Sequence, residues 1–111
     1  CQGGWVDMTT SIIKLLVTSD TERITVSTTA IGFTGAKILA ATIKVFCRVE
    51  TADIRVNTKN TPTAGGTEGS PLMKDGDTFE IIGQTDMIAF RAIRAGGTNA
   101  VLHVLFQGPE T

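Results

Sequence analysis

Apolar and polar residues alternate along several short stretches of the chain. The clearest case runs from Thr42 to Glu50, where every second residue is apolar: Ile43, Val45, Cys47 and Val49. Successive side chains of a strand point to opposite faces, so this pattern predicts a strand with one face in a core and the other in solvent. Similar patterns predict strands over residues 23–27, 53–57, 78–82, 87–94 and 100–105. The segment at residues 53–57 follows the strand at residues 42–50 so closely that it indicates an antiparallel partner or one strand broken by a bulge.

Turn signals separate these stretches. Asp75-Gly76-Asp77 and Gly96–Asn99 are typical of tight turns, because glycine accepts a positive φ. Residues 20–22 are also predicted to turn, and residues 58–70 form a long, polar, flexible loop. Short strands at such regular spacing predict an all-β fold: a single antiparallel β-sandwich, jelly-roll-like, of about seven to eight short strands.

The N-terminal part of the chain does not follow this pattern. Residues 1–10 are polar and Gly-rich and are predicted to be a flexible arm, after which residues 11–105 form the sandwich domain. Residues 11–18 fit a short helix or a buried strand equally well. A sandwich covers one face of such a run, and the other would be an exposed apolar patch. We therefore predict an oligomer interface at Ile12, Ile13, Leu15, Leu16 and Val17.

Composition narrows the possible functions. The chain of 111 residues carries a net charge of −1, which argues against a nucleic-acid partner. Its apolar runs are far shorter than the roughly 18 residues of a membrane span. One His and two Cys leave little for a catalytic, metal or cofactor site, so we expect no enzyme and no cofactor. Asp75 and Asp77 are interpreted as turn residues, His103 as a strand residue, and Cys47 as a buried free thiol.

The C-terminal segment suggests a separate origin. Residues 104–109 read Val-Leu-Phe-Gln-Gly-Pro and resemble the rhinovirus-type protease site used to remove affinity tags. The common engineered site carries Glu where this chain has His103. On this resemblance, residues 106–111 are predicted to be an engineered tail, and the domain is predicted to end at residue 105.

Residues 49–104 resemble small β-sandwich structural proteins of tailed bacteriophages. The resemblance is carried by the strand at residues 53–56, Thr61-Pro62-Thr63-Ala64, Pro71-Leu72, the turn at residues 75–77, and residues 90–100. It implies a virion component that decorates or stabilises the capsid, or a head- or tail-associated oligomer. The implied partners are further copies of the chain, with a trimer favoured, and the major capsid protein or another virion protein.

Two other classes of function remain open from the sequence. One is a secreted or surface-attached β-sandwich module that binds carbohydrate or another ligand, although such modules usually stack aromatic rings on sugars and this chain has no Tyr. The other is a small β-fold enzyme, which the scarcity of His and Cys argues against. The expected function is therefore a non-enzymatic structural protein located in the virion.

Overall fold

The structure is a computed structural model and describes residues 16–109. Within that range it contains seven strands, one short α-helix and a single turn of 3-10 helix at Gly35–Lys37. In chain order the elements are β1 (Leu16–Val26), β2 (Lys44–Glu50), β3 (Ile54–Asn57), β4 (Leu72–Met73), β5 (Thr78–Ile82), α1 (Gln84–Ala89), β6 (Arg91–Arg94) and β7 (Ala100–Pro109).

The strands form two antiparallel sheets, in the orders β1-β7-β2-β5 and β4-β3-β6. Ile31 makes an isolated bridge to Ala92 on β6 and stands where one further strand of the smaller sheet would run. With Ile31 counted, the eight segments pair first with last, second with seventh, third with sixth and fourth with fifth. This nested pairing is that of a jelly roll. The predicted all-β sandwich is confirmed.

The core lies between the two sheets and takes alternate side chains from each long strand. β7 contributes Ala100, Leu102, Val104 and Phe106, all of them buried. Phe33, in the segment between β1 and β2, stacks on Phe90 with ring centroids 4.4 Å apart and meets Phe106 edge-on at 5.6 Å. This aromatic group packs the segment between β1 and β2 against β7 and against the residue that precedes β6.

The strand predictions over residues 23–27 and 78–82 are confirmed, and the one over residues 42–50 holds for all but its start. Val45, Cys47 and Val49 are fully buried, as the alternation predicts. Ile43 is not, because β2 begins one residue later, and its side chain is 46% exposed. The predicted turn at residues 20–22 is wrong, since these residues continue β1 after a bulge at Ser19.

Two predictions about neighbouring strands are also wrong. β3 neither pairs with β2 nor continues it but lies in the other sheet, and the chain crosses over at Thr51, whose φ is +82°. Likewise Gly96–Asn99 joins β6 to β7 across the two sheets and is not a hairpin turn. Alternation along one strand is the same whichever sheet the strand joins, so the sequence pattern could not separate these cases.

The predicted strand over residues 87–94 is half helix. Gly83 has φ of +102° and turns the chain, and the Met87 N–H then donates to the Gly83 carbonyl at 3.1 Å. The resulting helix, α1, buries Met87 and leaves Ile88 exposed, whereas Phe90 and Ala92, which alternation in a single strand would set on the same face as Ile88, are buried. Within residues 16–109, no helix has the length and apolarity to cross a bilayer.

The described part of the domain does not end at residue 105. β7 runs on to Pro109, pairing with β1 and β2 on either side, and Phe106 is fully buried. The strand therefore continues past the boundary predicted at residue 105, and Phe106–Pro109 belong to an inner strand of the larger sheet. The engineered origin of this segment stays a prediction. The predicted arm at residues 1–10 lies outside the described residues.

Candidate functional site

Exposed apolar side chains concentrate at one end of the sandwich, where β1 and β2 begin and β5 and β7 end. The register joins these termini, since Leu16 pairs with Pro109 and Lys44 pairs with both Gln107 and Ile82. α1 crosses from β5 to β6 at the same end. Among the described residues, six of the eight exposed large apolar side chains lie here, and we name them the apolar end: Leu16, Val17, Leu39, Ile43, Ile82 and Ile88.

The degree of exposure makes the apolar end the candidate functional site. Ile82 is 69% exposed and Ile88 is 62% exposed. Single exposed apolar residues need no explanation, but a concentration of them marks a surface that binds a protein, a membrane or a ligand.

A groove of about 350 Å³ opens at the β1 side of the apolar end. It lies between the tip of the paired strands β1 and β7 and the segment at residues 39–42. A Cβ atom at Gly108 would come within 2.7 Å of the Ala41 carbonyl oxygen, so this glycine allows the close approach of the segment to β7. The groove is lined by Val17, Ser19, Leu39, Ala41, Thr42, Gly108 and Pro109.

The side chains of Thr42, which is buried, and Gln84, which is partly exposed, hold the backbone behind Leu39 in place. The Thr42 hydroxyl accepts from the Leu39 N–H at 3.0 Å, and the Thr42 N–H donates to the Leu39 carbonyl at 3.0 Å. The Gln84 side-chain amide donates to the carbonyls of both residues. The Leu39 backbone is thereby fixed while its side chain stays exposed, so this wall of the groove is preformed.

The segment that leads to Leu39 is anchored on the edge of β1. Lys37 Nζ lies 3.2 Å from Asp20 Oδ1 and 2.8 Å from the Thr21 carbonyl oxygen, and Glu22 accepts from the Thr34 N–H at 3.0 Å. The Thr21 N–H, followed by Lys37, lowers the pKa of Asp20 below its ordinary value. These contacts cover the middle of the edge strand, which would otherwise present free backbone groups to another chain.

The opposite end of the sandwich, the polar end, consists of the turns at residues 51–53, 74–77 and 95–99. Its carboxylates are used within the chain: Asp75 accepts from the Thr51 N–H at 3.1 Å, Asp53 from the Asp75 N–H at 2.9 Å, and Asp77 from the Lys74 N–H at 2.9 Å. Asp75 and Asp77 therefore stabilise turns, in agreement with their interpretation from the sequence.

The loop at residues 58–70 is exposed along most of its length but is tied to the smaller sheet. Arg55 donates to the carbonyls of Ala64 and Ser70, each at 3.0 Å, and Pro62 is buried beneath the loop. Hydrogen bonds from the hydroxyls of Ser70 and Thr63 lower the pKa of Glu68 to about 2. These bonds hold the loop more firmly than its polar, Gly-rich sequence predicts.

The outer face of the larger sheet carries a row of charged side chains. Glu50 lies 3.3 Å from His103 Nε2 and 3.4 Å from Arg48 Nε, and all three are about half exposed. Exposed pairs of this kind contribute ~0–1 kcal/mol to stability. Among residues 16–109, no group of three His, Cys, Asp or Glu side chains is placed to hold a metal ion.

Cys47 is buried in the core as a free thiol, as predicted. Burial raises the pKa of this thiol well above its ordinary value, because the charged thiolate would be desolvated. The thiolate is the reactive form, so Cys47 is a packing residue in this fold and not a nucleophile.

The structure brings two of the five predicted interface residues to the apolar end. Leu16 and Val17 begin β1 there, at 40% and 38% exposure, whereas Ile12, Ile13 and Leu15 lie outside the described residues. Sequence reasoning missed Leu39, Ile43, Ile82 and Ile88. One signal was present for Ile82, because it directly follows Ile81 in a strand and two consecutive side chains cannot both face the core.

Comparison with known proteins finds no relative. No family model matches the chain, no curated protein matches it, and no solved structure matches it.

Proposed function

We propose that the protein is a non-enzymatic structural component of a tailed-bacteriophage virion. In this proposal the chain forms a homo-oligomer, with a trimer favoured, and this oligomer binds the major capsid protein or another virion protein. The observation that carries the proposal is the apolar end, which exposes six large apolar side chains at one end of an otherwise well-packed sandwich. Contact with another protein subunit would remove these side chains from water, which lowers the free energy.

The energetics favour a protein partner of substantial size. Covering apolar surface stabilises by roughly 25 cal/mol per Å², but association costs an estimated 4–15 kcal/mol in lost freedom. A stable interface therefore buries about 800 Å² on each partner. The apolar end spans the ends of four strands and one helix, so a partner seated on it would contact several elements at once.

The fold and the resemblance support the virion over other settings. Jelly rolls serve as viral capsid domains and as lectin domains, so the fold alone does not choose between the two. The resemblance to tailed-phage structural proteins favours the first. The absence of converging ligand groups within residues 16–109 is in keeping with a structural role.

Carbohydrate binding is the alternative, and its best location is a cleft of about 360 Å³ at the polar end. The cleft presents Asp53, Arg55 and Thr98 as polar groups, with Leu72 as the largest apolar one. Among residues 16–109, no aromatic ring lines it, although rings are the side chains that stack on sugars. Arg55 is also engaged by two loop carbonyls, so this cleft is a weaker candidate than the apolar end.

Two measurements test the proposal. Sedimentation equilibrium of the purified chain should give the mass of a homo-oligomer, with a trimer favoured. When the gene is expressed together with its neighbouring genes, the protein should sediment with assembled particles. A monomer that binds a glycan and stays free of particles would overturn the proposal in favour of the binding module.

A further inference from the structure

We infer that the groove at the apolar end binds residues 11–15 of a neighbouring copy, so that the copies are joined by exchanged N-terminal segments. The inference rests on the proposed homo-oligomer and specifies how it is made. The groove is lined mainly by apolar groups from Val17, Leu39 and Pro109, and its far wall is fixed by Thr42 and Gln84.

The size of the groove sets the kind of occupant. An apolar cavity of ~150 Å³ takes one benzene molecule. A groove of about 350 Å³ therefore has room for two large aliphatic side chains from one peptide segment. The segment must be short, apolar on one face and free of bulky charged groups on that face.

The chain contains a segment with these properties next to the groove. Fifteen residues of the sequence precede Leu16, and the nearest of them read Ser11-Ile12-Ile13-Lys14-Leu15. Bound in the groove as an extended strand, this segment would present Ile13 and Leu15 on one face, because the side chains of a strand alternate with a period of two. The two side chains on that face match the two that the groove can hold, and Lys14 falls on the opposite face.

The groove of a second copy is favoured over the groove of the same chain. β1 begins at the tip of the sandwich, where Leu16 pairs with Pro109. Folding back into its own groove would need a sharp turn just before Leu16. The run Ile12–Val17 contains no Gly, Pro, Asn or Asp, which are the residues that favour such a turn.

Cysteine cross-linking between two marked populations tests the inference. In a Cys1→Ser background, a chain with Ile13→Cys is co-expressed with an affinity-tagged chain that carries Leu39→Cys. Cys47 is buried and stays out of the reaction. Mild oxidation should convert a substantial share of the tagged chains into a mixed covalent dimer, limited to those whose groove faces an Ile13→Cys neighbour, whereas a matched Thr98→Cys chain, changed at the polar end, should give little. Intact mass spectrometry identifies the two partners.

Each other outcome overturns the inference in a distinguishable way. Light scattering that shows an oligomer without the mixed dimer leaves the proposed assembly standing and removes segment exchange. A disulfide within one chain of the double variant Ile13→Cys with Leu39→Cys, without the mixed dimer, assigns the groove to the chain's own segment. A monomer in light scattering removes both the inference and the proposed oligomer.

Discussion

The two ends of the sandwich close the same core in different ways. At the polar end, the carboxylates of Asp53, Asp75 and Asp77 accept backbone N–H groups of neighbouring turns. At the apolar end, the backbone is equally well bonded through Gln84 and Thr42, but the side chains that point outward are aliphatic. At the polar end, the chain itself satisfies both the backbone and these carboxylates. At the apolar end, the backbone is hydrogen-bonded, but the aliphatic side chains stay exposed.

The difference between the two ends is a stronger argument for an interaction surface at the apolar end than exposure of the side chains alone. A polar turn whose carboxylates already accept backbone N–H groups gains little binding free energy from a partner. An aliphatic surface on a fixed backbone gains the free energy of burial, and the backbone need not be ordered on binding. Association is therefore favoured, because this entropy cost is avoided. On the proposed function, we expect variants of the apolar end to change assembly and variants of the polar end to change stability alone.

The largest expected effect tests whether the apolar end is built as described. Phe106→Ala should lower the free energy of unfolding by ~3–5 kcal/mol, because it empties a fully buried position in β7. Gln107→Ala, on the outer face of the same strand, should change it far less. Urea denaturation measures both. Equal midpoints for the two variants would mean that residues 106–109 are not part of the sheet.

A smaller effect is expected at the polar end. Asp75→Ala removes the carboxylate that accepts the Thr51 N–H and should lower the free energy of unfolding by about 1 kcal/mol. The mass in solution should stay that of the wild type, since this end is complete within the chain. Thr98→Ala is the control, with neither quantity changed. A loss of assembly in Asp75→Ala would show that the polar end also binds a neighbour.

The smallest effect concerns pH at the groove. Asp20 has a lowered pKa in the folded protein, so its stabilising contact with Lys37 is present above the ordinary value of 3.8 and is lost as pH falls through the lowered value. The Leu39 methyl signals in NMR should therefore shift at acid pH, below about 4. Asp20→Asn should remove that transition. The same transition in the variant would mean that another group controls the segment.

The sequence predicts the sandwich well because strands of the larger sheet bury one face. Val45, Cys47 and Val49 occupy strict alternate positions, and the structure buries all three. The sequence pattern does not predict the connections, because their conformation depends on contacts with residues distant in the sequence. Helix α1 forms because Gly83 turns the backbone and Met87 reaches the core, and the apolar sequence Met87-Ile88 fits either a helix or a strand.

The candidate site was predicted in part. The apolar run that ends at Val17 pointed to an interface, and the structure places Leu16 and Val17 at the apolar end. Leu39 and Ile43 carry no such signal, because they are short apolar elements of a connecting segment. The conformation of this segment depends on Gly108, which lies against Ala41, and on Gln84, which bonds the Leu39 carbonyl, and both are distant in sequence and meet the segment only in the folded chain.

Static light scattering on matched variants of the two ends tests the central claim most directly. Leu39→Asp with Ile82→Asp adds two negative charges at the apolar end. Thr28→Asp with Thr98→Asp adds the same charge at the polar end, where Thr28 lines a small pocket together with Gly96. We expect an oligomeric wild type, a monomer with unchanged circular dichroism for the first pair, and the wild-type mass for the second. An identical mass for all three proteins would contradict the account, whether that mass is the oligomer's or the monomer's.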